Sequence, residues 1–375
     1  MQITANFDSG NIKVIDAASA DNIQLEINKD NQSEFYQWFH FKLHNNDRVE
    51  HVIHLTNAGK SAYVEGWDDY NAVASYDREH WFRVPTEFDG DKLTITFTPE
   101  YDAVYFAYFA PYSYERHQDL IQNAQMDIDC QMLLLGQTID GRDMTMLKIG
   151  EEGEGKKKIW LTARQHPGET MAEWFMEGFL DRLLDEDDGV ARTLLDKAVF
   201  YVVPNMNPDG SYRGHLRTNA VGANLNREWL EPTMERSPEV FLVREQMLKI
   251  GVDMFLDIHG DEALPYNFVA GCEGNPSYNE RNKALEEQFK KMLIAITPEF
   301  QDEVGYDKDE PGKANMTVAT NWVGEQFDCL AFTIEMPFKD NALLPDHIVG
   351  WSDERSSLLG RDVLTTIYHV VDDLR

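Results

Sequence analysis

Residues 159–184 read IWLTARQHPGETMAEWFMEGFLDRLL, an apolar run of strand character that passes through a short polar turn into an amphipathic helix. His166 and Glu169 lie in that turn, three residues apart. The turn has two interpretations. An imidazole and a carboxylate at this spacing can face one metal ion, or Glu169 can simply be an acidic residue favoured at a helix start by the helix dipole. The spacing alone is common, so the neighbouring segments decide between them.

The same change from strand to helix recurs along the chain. Apolar runs at 158–163, 197–204, 252–260 and 329–337 alternate with helical patterns at 170–184, 237–251, 277–296 and 357–374. Strands that are apolar on both faces and alternate with helices are typical of a buried sheet covered by helices. We therefore predict an α/β/α domain with a mixed central sheet over residues 113–375.

The first 112 residues have a different pattern. Seven or eight short runs rich in aromatic and β-branched residues, among them 35–44 and 61–66, are separated by Asp/Asn/Gly turns at roughly ten-residue spacing. No long helical pattern interrupts them. We predict an N-terminal antiparallel β-sandwich domain at 1–112, and an α/β fold class for the chain as a whole.

Composition excludes several classes of function. The chain has 375 residues, with 66 Asp and Glu against 34 Lys and Arg, for a net charge of -32. Such a surface repels nucleic acid and anionic lipid, so neither is an expected partner. Three cysteines without CxxC spacing suggest neither a disulfide framework nor a cysteine zinc site. We expect no secretory leader and no membrane span, and hence a cytoplasmic protein.

Three strands of the predicted α/β domain end in residues that can carry chemistry. His166 and Glu169 follow the first, His259 stands at the end of the second, and Glu335 lies in the third. Ligands bind outside the carboxyl ends of strands in open α/β sheets, so these side chains are expected to meet at one edge. His166, Glu169 and His259 together make a His₂Glu set, which is a known catalytic zinc arrangement. Taken singly, His259 is as readily a buried structural histidine, and Glu335 a carboxylate paired with an arginine.

A polar, glycine-rich segment at 204–229 lies between these strands and carries Arg213, Arg217 and Arg227. An arginine can bind a carboxylate through two hydrogen bonds or stabilise an oxyanion. The alternative is a solvated loop with surface ion pairs. In so acidic a chain the three cations stand out.

These motifs occur in a familiar order. HPGE (166–169), NPDG (207–210), LNREW (225–229), DIHG (257–260) and FTIEMP (332–337) resemble the M14 zinc carboxypeptidases. The chain is most similar to the cytosolic, deglutamylase-like branch, which has a sandwich before the catalytic domain and an aromatic junction similar to APYSYERHQDL (110–120). The resemblance covers residues 105–340 by motif and the whole chain by architecture.

The resemblance implies a metallocarboxypeptidase that holds one Zn²⁺ per chain through His166, Glu169 and His259. It assigns Glu335 as the general base for a zinc-bound water and Arg217 as the residue that polarises the scissile carbonyl. Asp257 or a backbone carbonyl is expected to orient a ligand histidine.

Substrate recognition follows from the same resemblance. Asn226 and Arg227 match the pair that binds the terminal carboxylate of a peptide or protein, and a tyrosine that covers the substrate is expected among Tyr266, Tyr278 and Tyr306. Lys313 is predicted to face the side chain of the departing residue and to favour Glu or Asp; the alternative is a plain surface lysine.

Two other functions remain open from the sequence. An amidohydrolase of the aspartoacylase type would cleave N-acyl amino acids with a similar zinc and arginine set, and a binding protein would only hold a peptide end. The sandwich either shapes one side of the cleft or recruits a partner. The sequence gives no expectation for the oligomeric state.

Overall fold

The computed structural model describes residues 1–45 and 47–375. The N-terminal region contains ten strands: β1 (Gln2–Thr4), β2 (Lys13–Asp16), β3 (Ile23–Glu26), β4 (His40–His44), β5 (His51–Leu55), β6 (Val73–Ser75), β7 (Phe82–Arg83), β8 (Thr86–Phe88), β9 (Leu93–Phe97) and β10 (Ala103–Ala107).

The ten strands form two five-stranded sheets, in the orders β1-β4-β10-β6-β7 and β2-β3-β5-β9-β8. All pairs are antiparallel except β3 with β5, which run parallel. The sandwich is therefore confirmed, with one parallel pair that the prediction lacked. The strand predicted at 61–66 is wrong, because residues Val64–Trp67 form a 3₁₀ turn.

The remainder of the chain alternates strands and helices: α1 (Tyr114–Ala124), β11 (Cys130–Gln137), β12 (Asp143–Ile149), β13 (Lys157–Ala163), α2 (Met171–Leu183), α3 (Gly189–Lys197), β14 (Ala198–Val203), α4 (Pro208–Arg213), α5 (Pro238–Ile250), β15 (Met254–Asp261), β16 (Phe268–Ala270), α6 (Glu280–Ile296), α7 (Ala319–Phe327), β17 (Leu330–Pro337) and α8 (Asp353–Val370). The predicted boundary at 112/113 falls between β10 and α1.

A seven-stranded sheet forms the centre of this region, in the order β11-β12-β14-β13-β15-β17-β16. The pairs β14-β13, β13-β15 and β15-β17 are parallel, and the outer pairs are antiparallel. The mixed central sheet predicted from the sequence is confirmed.

Alternate residues of the central strands pack on opposite faces of the sheet, as the two-residue period of a strand requires. Ile159 and Leu161 of β13 join the apolar cluster that includes α2, α6 and α8, whereas Trp160 joins the cluster formed with α5 and α7. Helices therefore cover both faces of the sheet, which explains why its strands are apolar throughout.

The sandwich and the α/β region share one apolar core. Tyr108, just after β10, stacks on Phe338 with ring centroids 4.5 Å apart. Arg83 of β7 donates to the carbonyl oxygens of Phe338 at 2.8 Å and Trp351 at 2.9 Å. The two regions are thus joined by buried apolar and polar contacts.

Among the residues described, no helix has both the length and the apolar character needed to cross a bilayer.

Candidate active site

The sheet brings the predicted chemical residues to one edge. Strands β13, β15 and β17 run parallel, so their carboxyl ends lie side by side. His166 follows β13 by three residues, and His259 of β15 stands directly opposite Glu335 of β17 in the strand register. Three segments that are far apart in the sequence therefore meet at a single place.

His166, Glu169 and His259 form a buried cluster whose ligand atoms all lie within 4.8 Å of one another. The Nδ1 atom of His166 is 2.6 Å from Glu169 Oε1, and that of His259 is 2.8 Å from Glu169 Oε2. The Nε2 atoms point away, towards Asn224 Oδ1 at 3.1 Å and Asp257 Oδ2 at 2.8 Å. Two Nδ1 atoms and one carboxylate thus converge, which is a donor set that suits Zn²⁺.

The structure does not support the alternative in which Glu169 is only an acidic residue at a helix start, because its carboxylate contacts both imidazoles. Thr170 precedes α2, but its side chain makes no bond to the helix start. Its hydroxyl donates instead to Ala110 O at 2.8 Å. The Glu169 carboxylate lies between the two imidazoles, so the turn places His166 and Glu169 in the His₂Glu cluster.

Asp257 is itself held by a second layer of hydrogen bonds. Its Oδ1 accepts from the Thr162 hydroxyl at 2.7 Å, and its Oδ2 accepts from the side-chain amide of Gln165. Gln165 is fixed in turn by Trp229, whose Nε1 donates to its amide oxygen at 2.8 Å. Outer bonds of this kind set the orientation of a metal-binding histidine.

The electrostatics of the cluster favour a bound cation. Burial, with a smaller contribution from Arg217, lowers the pKa of His166 to about 4, so this ring is neutral at pH 7. Burial opposes ionisation of Glu169, but His166 and His259 hold its pKa below the usual range. For His259 burial is outweighed by Asp257 and Glu169, which raise its pKa well above the usual value. Asp257 and Glu169 favour the protonated, positively charged form of His259. The same two carboxylates would attract a divalent cation.

Glu335 carries an unused acceptor. The residue is 5% exposed, and burial raises the pKa of its carboxyl well above the usual value. Its Oε1 lies 3.1 Å from the Tyr306 hydroxyl, but the buried Oε2 finds no hydrogen-bond partner within residues 1–45 and 47–375. A buried carboxylate oxygen without a partner is costly, so the position suits a water or substrate proton. This orphaned oxygen beside the His₂Glu cluster fits a hydrolytic metal site.

Tyr306 reaches the site from an irregular segment before α7. Its hydroxyl lies 2.7 Å from Asp261 Oδ2 and 3.1 Å from Glu335 Oε1, while 49% of the residue is exposed. Of the three tyrosines considered as the substrate cover, Tyr306 lines the cavity and Tyr266 and Tyr278 do not. Its place depends on the path of a loop, for which the sequence has no periodic signal.

Arg217, Arg227 and Asn226 line the same cavity of about 820 Å³, whereas Arg213 lies outside it and pairs with Asp140 at 2.8 Å. Asn226 Oδ1 accepts from the Ala319 amide at 2.9 Å, and among residues 1–45 and 47–375 its NH₂ group donates to no protein acceptor. Arg227 Nη1 donates to Asn226 O at 2.7 Å, and the residue as a whole is exposed. Within the described part of the chain, the Arg217 guanidinium donates to no protein acceptor, so its N–H groups remain available.

The structure does not bring Lys313 to the cavity. Lys313 is exposed, on a surface segment outside the lining residues, in contrast to the prediction that it faces the departing side chain. Two other lysines do line the cavity. Lys308 pairs with Glu273 at 2.7 Å, and Lys290 pairs with Asp302 at 3.1 Å.

Other lining residues have no signal in the sequence, and Tyr63, Glu65 and Glu262 are among them. Tyr63 and Glu65 come from the sandwich, and Glu262 follows directly after β15. Burial, followed by the charge of Glu169, raises the pKa of Glu262 well above the usual value. Tyr63 and Glu65 lie in the segment predicted as a strand, and no local pattern indicates that this segment reaches the other domain.

Comparison with known families gives two matches that together cover most of the chain. The model of the cytosolic carboxypeptidase N-terminal domain matches residues 3–109. The model of the zinc carboxypeptidases matches residues 118–351.

Solved structures and curated proteins agree with these matches. A metallo-carboxypeptidase from Pseudomonas aeruginosa, in complex with (2-guanidinoethylmercapto)succinic acid, is 52% identical over 100% of both chains, with a TM-score of 0.98. A metallo-carboxypeptidase from Burkholderia cenocepacia is 50% identical over 99% of both chains, with a TM-score of 0.97. Cytosolic carboxypeptidase 6 of Mus musculus is 30% identical over 79% of this chain and 59% of its own length.

Proposed function

Because the chain belongs to the M14 family of zinc carboxypeptidases, we propose that it removes C-terminal residues from peptides or proteins in the cytoplasm, with one Zn²⁺ held by His166, Glu169 and His259. One observation carries this proposal. The buried His₂Glu cluster lies beside a carboxylate, Glu335, whose Oε2 has no protein partner in the described chain. When bound, zinc would supply Lewis-acid polarisation and acidify a water molecule.

Glu335 acts as the general base and then as the general acid. Its free Oε2 takes a proton from the attacking water while the water oxygen bonds to the scissile carbonyl carbon. The C–N bond then breaks, and Glu335 returns the proton to the leaving amine nitrogen. Burial raises the pKa of this carboxyl, which makes its carboxylate form a stronger base towards the proton of the attacking water.

Arg217 stabilises the oxyanion that forms on the carbonyl oxygen. Its guanidinium lines the cavity and has no competing acceptor in the described chain. Donors that are already in place where charge develops lower the barrier, because they need no reorganisation during the reaction.

Arg227 and Asn226 restrict the reaction to chain ends. The Arg227 guanidinium can bind a terminal carboxylate through two parallel hydrogen bonds, and the Asn226 NH₂ group can add a third. Tyr306 closes over the bound residue from the solvent side. A peptide whose C-terminus is amidated lacks the charge that this pair recognises.

The preference among C-terminal residues is set by the charged end of the cavity. Lys308 and Lys290 would favour Glu or Asp there, in place of the exposed Lys313. Lys308 is already paired with Glu273, and Lys290 with Glu286 and Asp302, so an acidic substrate must displace one of these carboxylates. A Lys308→Ala variant is expected to lower kcat/KM for Glu-ended peptides and to leave Leu-ended peptides unchanged, with Lys313→Ala as the matched surface control.

The test of the reaction class uses zinc-loaded protein with two sets of substrates. One set holds peptides that end in Glu, Asp, Leu, Phe, Lys or Arg, each with a free or an amidated C-terminus; the other holds N-acetyl amino acids. Stepwise loss of residues from the free peptides alone supports the proposal. Hydrolysis of the N-acetyl amino acids with intact peptides would favour an aspartoacylase-type amidohydrolase, and binding without hydrolysis would favour a peptide-end-binding protein.

A further inference from the structure

The sandwich contacts residues 214–222, the loop that carries Arg217 and is called the catalytic loop below, through one buried carboxylate. Asp30, in the segment between β3 and β4, is 3% exposed. Its Oδ1 accepts from the Leu216 amide at 2.7 Å, and its Oδ2 accepts from the amides of Arg217 at 2.8 Å and Thr218 at 2.9 Å. The Thr218 hydroxyl adds a fourth bond at 3.1 Å. Consecutive backbone amides around one carboxylate form a strong, charge-assisted anchor for the loop.

The same loop is held at both ends by close approach of the sandwich backbone. Gly214 and Gly222 have φ values of +70° and +80°, and a Cβ atom at either would lie within 2.6 Å of a carbonyl oxygen, from Ser9 or Gln32 respectively. Only glycine fits such a contact with positive φ. The backbone on both sides of Arg217 is therefore packed tightly against the sandwich.

Further hydrogen bonds between the two regions join this anchor. The Asn31 amide donates to His215 Nε2 at 3.1 Å, and His215 Nδ1 donates to Thr218 O at 2.9 Å. The Asn31 side chain donates to Ala220 O at 2.6 Å. Each of these bonds fixes the loop on one side or the other of Arg217.

The side chain of Arg217 is oriented by the sandwich as well. Its guanidinium carbon lies 5.6 Å from the ring centroid of Phe35 and 5.4 Å from that of Tyr63. These contacts orient a cation without using its hydrogen-bond donors. The N–H groups thus stay free for a substrate oxygen.

We propose that Asp30 is a positioning residue for Arg217, so that the N-terminal sandwich is part of the active site rather than only a cover or a recruiting module. Asp30 fixes the backbone of the catalytic loop, and Phe35 and Tyr63 fix the direction of the guanidinium. The inference rests on the proposed role of Arg217 in stabilising the oxyanion.

The experiment measures kcat and KM of the zinc-loaded full chain for one peptide with Asp30→Asn, Arg217→Ala and the double variant. Arg217→Ala is expected to lower kcat by about 100-fold, as loss of an oxyanion donor does. Asp30→Asn should lower kcat at least about tenfold with little change in KM, since charge-assisted bonds are lost. In the Arg217→Ala background the same change should cost less than about twofold, because the residue on which it acts is gone.

Two further variants separate positioning from folding. Asp8→Asn is the matched control, since Asp8 Oδ2 accepts from the Tyr114 amide at 2.6 Å between the same two regions but away from the cavity; its kcat should stay at the wild-type value. If Asp30→Asn fails to fold, Phe35→Leu replaces it, with an expected loss in kcat of roughly threefold that also vanishes without Arg217.

The two possible failures are distinguishable. Two outcomes would overturn the positioning role alone. In the first, Arg217→Ala loses much of its kcat while Asp30→Asn keeps the wild-type kcat. In the second, Asp30→Asn lowers kcat equally with and without Arg217. Wild-type kcat in Arg217→Ala would overturn the proposed role of Arg217 and the positioning role with it.

Discussion

Asp257 Oδ2 lies 2.8 Å from His259 Nε2, and both residues belong to strand β15. Alternate residues of a strand project from the same face, so the carboxylate can reach the ring two positions further along. With Nε2 bound in this way, Nδ1 is the atom that faces Glu169, as the proposed zinc site requires. The sequence DIHG thus carries the proposed zinc ligand His259 together with the residue that orients its ring.

Asp257→Asn should weaken zinc binding by about 10- to 100-fold, because outer-shell partners fix the orientation and basicity of a ligand histidine. Competition with a chelator of known affinity measures the change. The control is Asp253→Asn. Asp253 lies just before β15, and its carboxylate accepts from the Lys158 amide at 2.7 Å. Equal zinc affinity in Asp257→Asn and the wild type would contradict this account.

Arg227→Ala should reduce kcat/KM for peptides with a free C-terminus by about 10- to 100-fold, the equivalent of one strong ionic hydrogen-bond pair. The variant should also lose most of the discrimination against amidated peptides. Arg236→Ala serves as the control, because Arg236 pairs with Glu228 at 3.0 Å and does not line the cavity. If Arg227→Ala still rejects amidated peptides as strongly as the wild type, another group binds the carboxylate.

Tyr306→Phe should shift the acidic limb of the pH profile of kcat/KM to higher pH. The Tyr306 hydroxyl favours the ionised form of Glu335, so its removal raises the pKa of Glu335. A general base works only when it is deprotonated, and a higher pKa therefore costs activity at low pH first. The control is Tyr76→Phe in the sandwich. The Tyr76 hydroxyl accepts from the Glu100 amide, and its removal should leave the pH profile unchanged. A shift of the acidic limb to lower pH in Tyr306→Phe would contradict the predicted direction of the pKa change of Glu335.

Glu239→Gln should stabilise the protein at high pH. Glu239 is fully buried, and burial raises the pKa of its carboxyl to about 8 against the weaker effect of Asn219. The folded state therefore binds this proton more tightly than the unfolded state, and the free energy of unfolding falls as pH rises from 4.5 through about 8. Above that range the variant should be more stable than the wild type. Each tenfold difference in proton affinity between the folded and unfolded protein corresponds to about 1.4 kcal/mol, so the gain is a few kcal/mol at most.

Denaturant unfolding at pH 6 and pH 9 measures this effect. The control is Glu245→Gln on the same helix, α5, which should change both free energies equally. Glu239→Gln could instead lose as much free energy of unfolding between pH 6 and pH 9 as the wild type. That result would show that Glu239 does not titrate between these two pH values.

The sequence predicts the parts of the site that depend on regular structure. His166, His259 and Glu335 could be placed together because parallel strands end at one edge of the sheet. Tyr306 and Lys308 arrive on irregular segments, and Tyr63 arrives from the other domain, where its segment forms a 3₁₀ turn rather than a strand. Lys313 lies outside the lining residues for the same reason, because the direction of its side chain depends on a loop. The local sequence around such residues does not predict contacts that depend on the path of a loop or on packing between domains.

The most direct test of the proposed reaction compares wild type with Glu335→Gln, both loaded with zinc and assayed by mass spectrometry on a peptide with a free C-terminus. The substitution keeps the shape of the side chain and removes the base, so stepwise loss of residues should slow by about 10²- to 10⁴-fold. Metal analysis should find equal zinc in both proteins. Removal of C-terminal residues at the wild-type rate by zinc-loaded Glu335→Gln would contradict the assignment of Glu335, and with it the mechanism proposed for this site.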